Sequence, residues 1–315
     1  MSQNTTNTTA FIEAQQYSQF ILEHLYDGLL PDTFTRDVSD FGQGTTLNIK
    51  TVGDTTLQEV QEEVAMAYQA IDTGTVTLSI TDYVGDAWSI SDVLRQDGSQ
   101  IEQLHAMRAA RATRAIQEYF ESRMLAVANQ AQTNNAANLV NGFAHRVASA
   151  EVGNVASLNH FLQMKLAFDK ANVDQYARIA IVDPVVEATI NENFTAANAI
   201  SYNPMFEGIV NEGFAREHKF VKNIFGWDVY TSNRLDKGTF GDGTTSVTGA
   251  AANLFMCVSD DSTKPLMRAW RQMPKVETSR NSKLKRDEFD VTARFGIGAQ
   301  RVDTLGVLIT SATNY

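Results

Sequence analysis

Residues 46–81 read "TLNIKTVGDTTLQEVQEEVAMAYQAIDTGTVTLSIT", and the two ends of this stretch follow a different rule from its middle. Leu47 and Ile49 alternate with polar neighbours at the start, and Val76, Leu78 and Ile80 do so at the end, the period of two that marks half-buried strands. The intervening residues 53–74 are far more than the roughly 2–5 residues of an ordinary hairpin loop. Counted from Thr45 to Asp82, each arm of the hairpin reaches roughly 60 Å if fully extended. The pattern predicts a long β-hairpin with little of its own domain to lie on.

The middle of the stretch is acidic: Asp54, Glu59, Glu62, Glu63 and Asp72 occur in residues 53–74, with no Lys or Arg. Two readings follow, a solvated lid over its own domain or an arm that lies on a neighbouring copy. Beyond the turn at Asp97-Gly98, Ser99 and Glu102 form a capping box ahead of a helical pattern. Ile101, Leu104, Met107, Ile116, Phe120, Met124 and Val127 keep helical spacing, so a helix of roughly 45 Å is predicted from residue 99 to about 130. Its other face carries Arg108, Arg111 and Arg114, with Glu118 one turn beyond Arg114. Alone, such a stripe is a solvated face; against an acidic loop from a second copy it is a docking track. Glu59, Glu62, Glu63, Arg108, Arg111 and Arg114 are therefore the candidate subunit-contact residues.

Working outward, residues 1–10 are polar and offer nothing to bury, while Phe11, Ile12, Phe20, Ile21, Leu25 and Leu29 recur at loosely helical spacing, as in an arm that docks on something larger. After the long helix, "QTNNAANLVNGF" breaks the pattern. A helix is predicted over 155–170, a strand from Ala177 stopped at Asp183-Pro184, a helix in "VVEATINENF", and strands in "NIFGWDVYTSNRL" and "NLFMCVSD". This alternation predicts an α/β lobe. Phe289, Val291, Ala293 and Phe295 then alternate and Val307–Ile309 resume, so the C-terminus is expected to return as sheet beside the first lobe's strands. The basic run Lys275, Arg280, Lys283, Lys285 and Arg286 is read as an inward or partner-facing patch, or as a solvated loop.

Composition excludes more than it names. The net charge of -11, from 37 acidic and 26 basic residues, argues against a surface that grips nucleic acid throughout. The N-terminus lacks a signal pattern and no apolar run approaches a bilayer span, so a soluble chain made in the cytoplasm is expected. The five histidines are isolated, with no zinc spacing, no nucleophile elbow and no Walker sequence. Cys257 lies in an apolar run and reads as a core residue. Gly296-x-Gly298 is followed by strand rather than helix and reads as a bend, not a phosphate cradle. "GDGTT" at 241–245 with Asp236 is a surface turn before it is a calcium site. No catalytic, cofactor-binding or metal set emerges.

Arm, long hairpin, long helix, mixed lobe and returning sheet occur here in a telling order. In "TLNIKTVGD", "TGTVTLSITDYVGDAWSISDVLR", "ARIAIVDPVVEATI", "IFGWDVYTSNRL" and "DEFDVTARFGIGAQRVDTLGVLITS" the chain resembles the major capsid proteins of tailed double-stranded DNA phages, the Hong Kong ninety-seven fold. The resemblance covers nearly everything after Gly44. It implies an α+β fold with an N-terminal arm over 1–44 and an extended loop over 45–82. A peripheral domain over 83–150 carries the spine helix and is completed by 271–315, with an α/β axial domain over 151–270. It implies a non-enzymatic subunit, without cofactor, that self-assembles into hexamers and pentamers of an icosahedral shell. That shell sits in the virion, is assembled in the host cytoplasm, and encloses DNA contacted without sequence specificity. Implied partners are a separate scaffolding protein, a portal and, on a decorated shell, a cement protein, but no membrane. Some relatives weld neighbours through a loop lysine; residues 53–74 hold none, so noncovalent joints are expected. Two other readings stay open: an encapsulin-type compartment shell of the same fold, and an enzyme whose acidic loop is a lid.

Overall fold

The protein is described by a computed structural model over residues 28–40, 44–53, 55, 57–60, 62–63, 65–98, 101–132, 139–195 and 220–314. The helical arm pattern before Gly28 lies outside these residues, as does Ser99, the cap of the expected capping box. After a short strand β1 (Arg36–Asp37), the alternation at both ends of the acidic stretch becomes β2 (Thr46–Val52) and β3 (Thr73–Ser79). They pair antiparallel from Thr46 opposite Ser79 to Val52 opposite Thr73, the hairpin that the sequence predicts. Strand β4 (Asp82–Ser91) follows, and the Ser91 hydroxyl accepts the Leu94 N–H to cap a short helix α1 (Asp92–Asp97). The long helix α2 (Ile101–Ala131) has 31 residues and spans about 46 Å.

The sequence reading passes over β4 because Asp82 and Asp86 share the parity of Val84, Trp88 and Ile90 and so break the apolar alternation. The structure supplies the reason they are tolerated. Arg123 of α2 lies 3.3 Å from Asp82, and Arg108 lies 2.6 Å from Asp86, so each carboxylate meets a guanidinium across the helix–sheet seam.

Downstream come β5 (Leu139–Val140), β6 (Phe143–Ala144), β7 (Arg146–Ala148), α3 (Leu158–Lys170), β8 (Arg178–Val182), α4 (Pro184–Thr195), β9 (Phe220–Ile224) and β10 (Trp227–Thr231). They are followed by β11 (Lys237–Gly241), β12 (Ser246–Cys257), β13 (Leu266–Asn281), β14 (Arg286–Ala299) and β15 (Leu305–Ser311). Two sheets carry the α+β fold. A four-stranded sheet runs β1-β13-β14-β4, and a seven-stranded sheet runs β7-β15-β12-β8-β10-β9 with β11 on β12.

Helix α2 belongs to both. Its first half lays Ala112 and Ile116 on Val291 and Ala293 of the four-stranded sheet, and Phe120 stacks on Trp270 at 4.8 Å. Its second half buries Met124, Leu125 and Ala128 against Ile179, Ile181, Leu254, Val307 and Ile309 of the seven-stranded sheet. The alternate residues Ala180, Val182, Phe255, Cys257 and Leu308 point to the opposite face, under Phe161, Met164 and Phe168 of α3 and Val186 and Ile190 of α4. Central strands buried on both faces read as continuous apolar runs, which is why "RIAIV" and "NLFMC" show no alternation. Cys257 is a core residue within this layer.

Two expectations are corrected. The sequence places the last strands together beside the first lobe. In the structure β14 does pair with β4, Phe289 facing Trp88, but β15 pairs with β12 and β7 in the other sheet. The expected bend at Gly296-x-Gly298 is also absent. Both glycines lie inside β14 and neither has a positive φ. A Cβ on Gly296 would sit 2.5 Å from the Ser79 carbonyl oxygen and 2.9 Å from the Ile80 Cα, and one on Gly298 would sit 2.9 Å from Leu78 Cδ1. The pair is a seat for the base of the long hairpin, where Leu78, Ile80, Met267 and Ala269 are buried together.

Two histidines are built into the lobe as neutral groups. Nδ1 of His160 accepts the Ser157 N–H at 3.0 Å at the start of α3, and His145 is fully buried against Phe168, with ring centroids 5.5 Å apart. Burial holds both below the ordinary histidine value. The unfolded chain therefore binds more protons than the folded one as pH falls below the unfolded histidine value, about 6.5, and stability is lost in that direction. A urea titration should show a lower midpoint at pH 5 than at pH 7, with the difference reduced in His160→Gln.

Candidate assembly interface

The long hairpin leaves its seat after Ile49 and Val76 and acquires no further body. Gly53 N–H donates to the Asp72 carbonyl at 2.9 Å, one rung past the strands. Farther out, the Gln58 side chain bonds the Ala67 backbone in both directions, at 2.9 and 3.1 Å, and holds the two runs of chain together as a ribbon. Along it Val52, Leu57, Val60, Met66, Tyr68 and Ile71 are all exposed, Leu57 to 93% and Ile71 to 78%. Glu59, Glu62 and Glu63 are exposed on the same ribbon. A lid would turn these apolar groups onto its own domain; here they face outward, and exposed apolar clusters of this kind mark interaction sites. The sequence reading counted the acids and gave no weight to the apolar side chains interleaved with them.

The arginine stripe divides. Arg108 and Arg111 edge an open groove of about 300 Å³ lined by Trp88 and Ile90 of β4, Leu94 of α1, and Leu104 and Met107 of α2. Trp88 stacks on Phe289 with centroids 5.7 Å apart and donates through Nε1 to His105 Nδ1 at 3.2 Å, which fixes the groove floor. Arg108 lies over the Trp88 ring at 5.9 Å while holding Asp86. Arg114 takes a different role and pairs with Glu118 at 3.1 Å.

The basic run is a structured hairpin rather than an open patch. Arg280 binds both oxygens of Asp92 at 2.6 Å and one of Asp287 at 2.9 Å, Arg286 binds Glu288 at 2.7 Å, and Lys275 lies 3.0 Å from Glu277. Hydrogen bonding from Arg280 holds the Asp92 carboxyl below its ordinary value, and Asp92 with Asp287 pushes the Arg280 guanidinium up. Lys283, Leu284 and Lys285 stand exposed at the turn. In "GDGTT" the Asp242 carboxylate accepts the N–H groups of Thr244, Thr245 and Ala148 at 2.8, 2.8 and 3.0 Å, so this turn is closed by the backbone. Among the described residues no group of three metal-ligating side chains occurs, and no helix is long and apolar enough to cross a membrane.

A spine helix shared by two sheets thus carries an exposed apolar and acidic ribbon at one place and an open, Trp88-floored groove at another. The model of the phage capsid protein family matches residues 72–310, and the chain belongs to that family. Among solved structures it is similar to the capsid of the cyanophage P-SCSP1u, with a TM-score of 0.71 at 15% identity over 96% of this chain and 94% of that one. The mature capsid of bacteriophage PhiM1 gives 0.69 at 10% identity over 96% and 93%, and the capsid of a native GTA particle gives 0.64 at 14% over 99% and 100%. At these identities the likeness is one of fold. No curated protein sequence matches. The chain is a phage capsid protein, a structural component of the virion.

Proposed function

We propose that subunits associate as hexamers and pentamers, each laying its residue 53–72 ribbon over the β4–α2 groove of a neighbour. Apolar side chains of the ribbon fill the groove, and Glu59, Glu62 and Glu63 approach Arg108 and Arg111 on its rim. The observation that carries this reading is the ribbon itself, apolar and acidic, standing off the body that would otherwise cover it. A shell multiplies modest contacts, because each copy makes many and closure makes them simultaneous.

In this reading the four-stranded sheet with α2 is the peripheral domain, the seven-stranded sheet with α3 and α4 the axial domain, and the chain performs no catalysis. The joints are noncovalent. A separate scaffolding protein and a portal act in assembly in the host cytoplasm, a cement protein binds where the shell is decorated, and the packaged DNA is contacted without sequence specificity.

Changing Glu59, Glu62 and Glu63 together to lysine should cut the yield of particles at least roughly tenfold in electron micrographs, since like charges across an interface cost several kcal/mol. Leu57→Ser with Val60→Ser should do the same without altering charge. Both variants should keep the far-UV circular dichroism of the parent. Shells at parental yield from the lysine variant would reject the charge pairing, and from the serine variant the groove filling.

A further inference from the structure

The four-stranded sheet guards one of its edges and leaves the other open. At the β13 end, β1 covers Met267 and Arg268. Beyond them β13 contains Pro274 and shifts register against β14 twice, between Trp270 and Gln272 and between Gln272 and Lys275. Prolines and bulges of this kind keep an edge from recruiting another chain. Strand β4, at the opposite end, has neither. Its 10 residues pair with β14 in unbroken register from Asp82 opposite Phe295 to Ser91 opposite Arg286. They include no Lys, Arg or Pro, and among the described residues no strand lies on their outer side. Charges turned inward also protect an edge, but Asp82 and Asp86 are met from α2 by Arg123 and Arg108 and so do not repel a strand laid alongside. A line of backbone donors and acceptors is left open beside the Trp88 groove.

The ribbon holds a segment that matches this edge. Residues 65–71, "AMAYQAI", carry no charge, no glycine and no proline. They run without a turn or bend, and every one is exposed. Gln58 bonds the Ala67 backbone from the facing run, which is less suited to pairing because its Gln58 side chain is already committed and Glu59 adds a charge beside it. An open sheet edge takes up a segment of this kind through main-chain hydrogen bonds, while alternate side chains enter the pockets next to it. Trp88 and Ile90 of β4 line the groove, so a strand added to β4 turns every second side chain toward it.

We propose that residues 65–71 of a neighbouring copy add to the outer edge of β4 as a further strand of the four-stranded sheet. The contact between copies is then held by backbone hydrogen bonds as well as by the side chains that fill the groove. The inference rests on the reading of the ribbon as the arm between copies, and adds to it the mode of attachment.

The test is disulfide trapping in particles of the full-length chain, under conditions in which the parent assembles. Ala87→Cys or Ser89→Cys, both exposed on the face of β4 turned away from α2, is combined with a cysteine stepped through positions 65–71; Cys257 is buried. Opposite residues on paired strands bring their Cβ atoms to about 4.5–5.5 Å while the residues between them point to the other face, so multimers on a non-reducing gel should be roughly tenfold more abundant at every second position. Moving the β4 cysteine from 87 to 89 should move the best partner by two residues. Leu94→Cys, in the groove, paired with the same ribbon positions reports docking by any mode. If the cysteine variants do not assemble, hydrogen exchange on the parent decides: on assembly, alternate amides of β4 and of residues 65–71 should slow roughly tenfold, about what one hydrogen bond supplies. Equal trapping at all seven positions, no shift between 87 and 89, or no alternate slowing would overturn the added strand; trapping to Leu94 alongside such a result would leave the ribbon in the groove. Particles that trap neither at β4 nor at Leu94 would overturn both readings.

Discussion

Gly296→Val is expected to destabilise the protein by about 3 kcal/mol and to abolish assembly, because the new side chain meets backbone that has no room to give. A Cβ at this position falls 2.5 Å from the Ser79 carbonyl oxygen, 2.9 Å from the Ile80 Cα and 3.1 Å from the Ser79 carbonyl carbon. All three atoms belong to the base of the long hairpin, and the Ile80 N–H is itself bonded to the Thr45 carbonyl at 2.8 Å. Relief requires lifting the hairpin off β14, which uncovers Leu78 and Ile80, now 1% and 5% exposed, together with Met267 and Ala269. Gly298 sets the internal control. Its Cβ would press only on the Cδ1 tip of Leu78 at 2.9 Å and Met267 Cε at 3.4 Å, both ends of flexible side chains, with the Thr77 carbonyl oxygen at an ordinary 3.9 Å, so Gly298→Ala should cost less than about 1 kcal/mol. Urea unfolding of the two variants, with hydrogen exchange at Ile80, checks the contrast. Equal tolerance at both positions would show that the hairpin is not seated on Gly296, and would return the pair to the role of a bend.

The same contrast shows what was legible in the sequence. Alternation revealed β2, β3 and β14, and helical spacing revealed α2 to within a residue or two, because one face of each element is apolar and the other is not. The order of these elements carried the family likeness. What stayed hidden depends on partners distant in the chain. Strand β4 was obscured by Asp82 and Asp86, whose arginines lie 41 and 22 residues away. All seven residues of β15 are buried, so it shows no parity, and its place beside β12 rather than β14 follows from contacts with α2 and α3 that no local pattern encodes. The glycines read as a bend, because the backbone that packs on Gly296 comes from Ser79 and Ile80, more than 200 residues earlier. Of the candidate contacts, Arg108 and Arg111 were found as a stripe, but the groove between them exists only once Trp88 and Leu94 are brought alongside.

Arg146→Ala is expected to be the most damaging single truncation in the seven-stranded sheet, at about 4 kcal/mol, since several acceptors lose one shared donor at about 1–3 kcal/mol for each left unsatisfied. Helix α2 has no basic residue in its last turn, so nothing of its own offsets the carbonyl dipoles gathered there. Arg146 of β7 supplies that charge from 17 residues downstream. Its Nη1 donates to the Asn129 carbonyl at 3.1 Å, the Asn129 side chain at 2.9 Å and the carbonyl of Gln132, just past the helix, at 3.0 Å, while Nε donates to the Gly241 carbonyl of β11 at 2.7 Å. Burial pulls the guanidinium below its ordinary value, against the nearby Asp242 and Asp236 carboxylates, and an arginine keeps its proton all the same. Truncation leaves the buried Asn129 and Gln132 carbonyls and the partly buried Gly241 carbonyl without this donor. Lysine should recover less than half, since one ammonium cannot reach the helix end and β11 in the fork that Arg146 uses. The urea midpoint should fall with the slope unchanged, and exchange should accelerate over the last turn of α2 before it does over Ala112 and Ile116. That order follows from the two halves of the helix resting on different sheets: freeing its C-terminal end loosens the seven-stranded lobe while the four-stranded sheet still holds the rest.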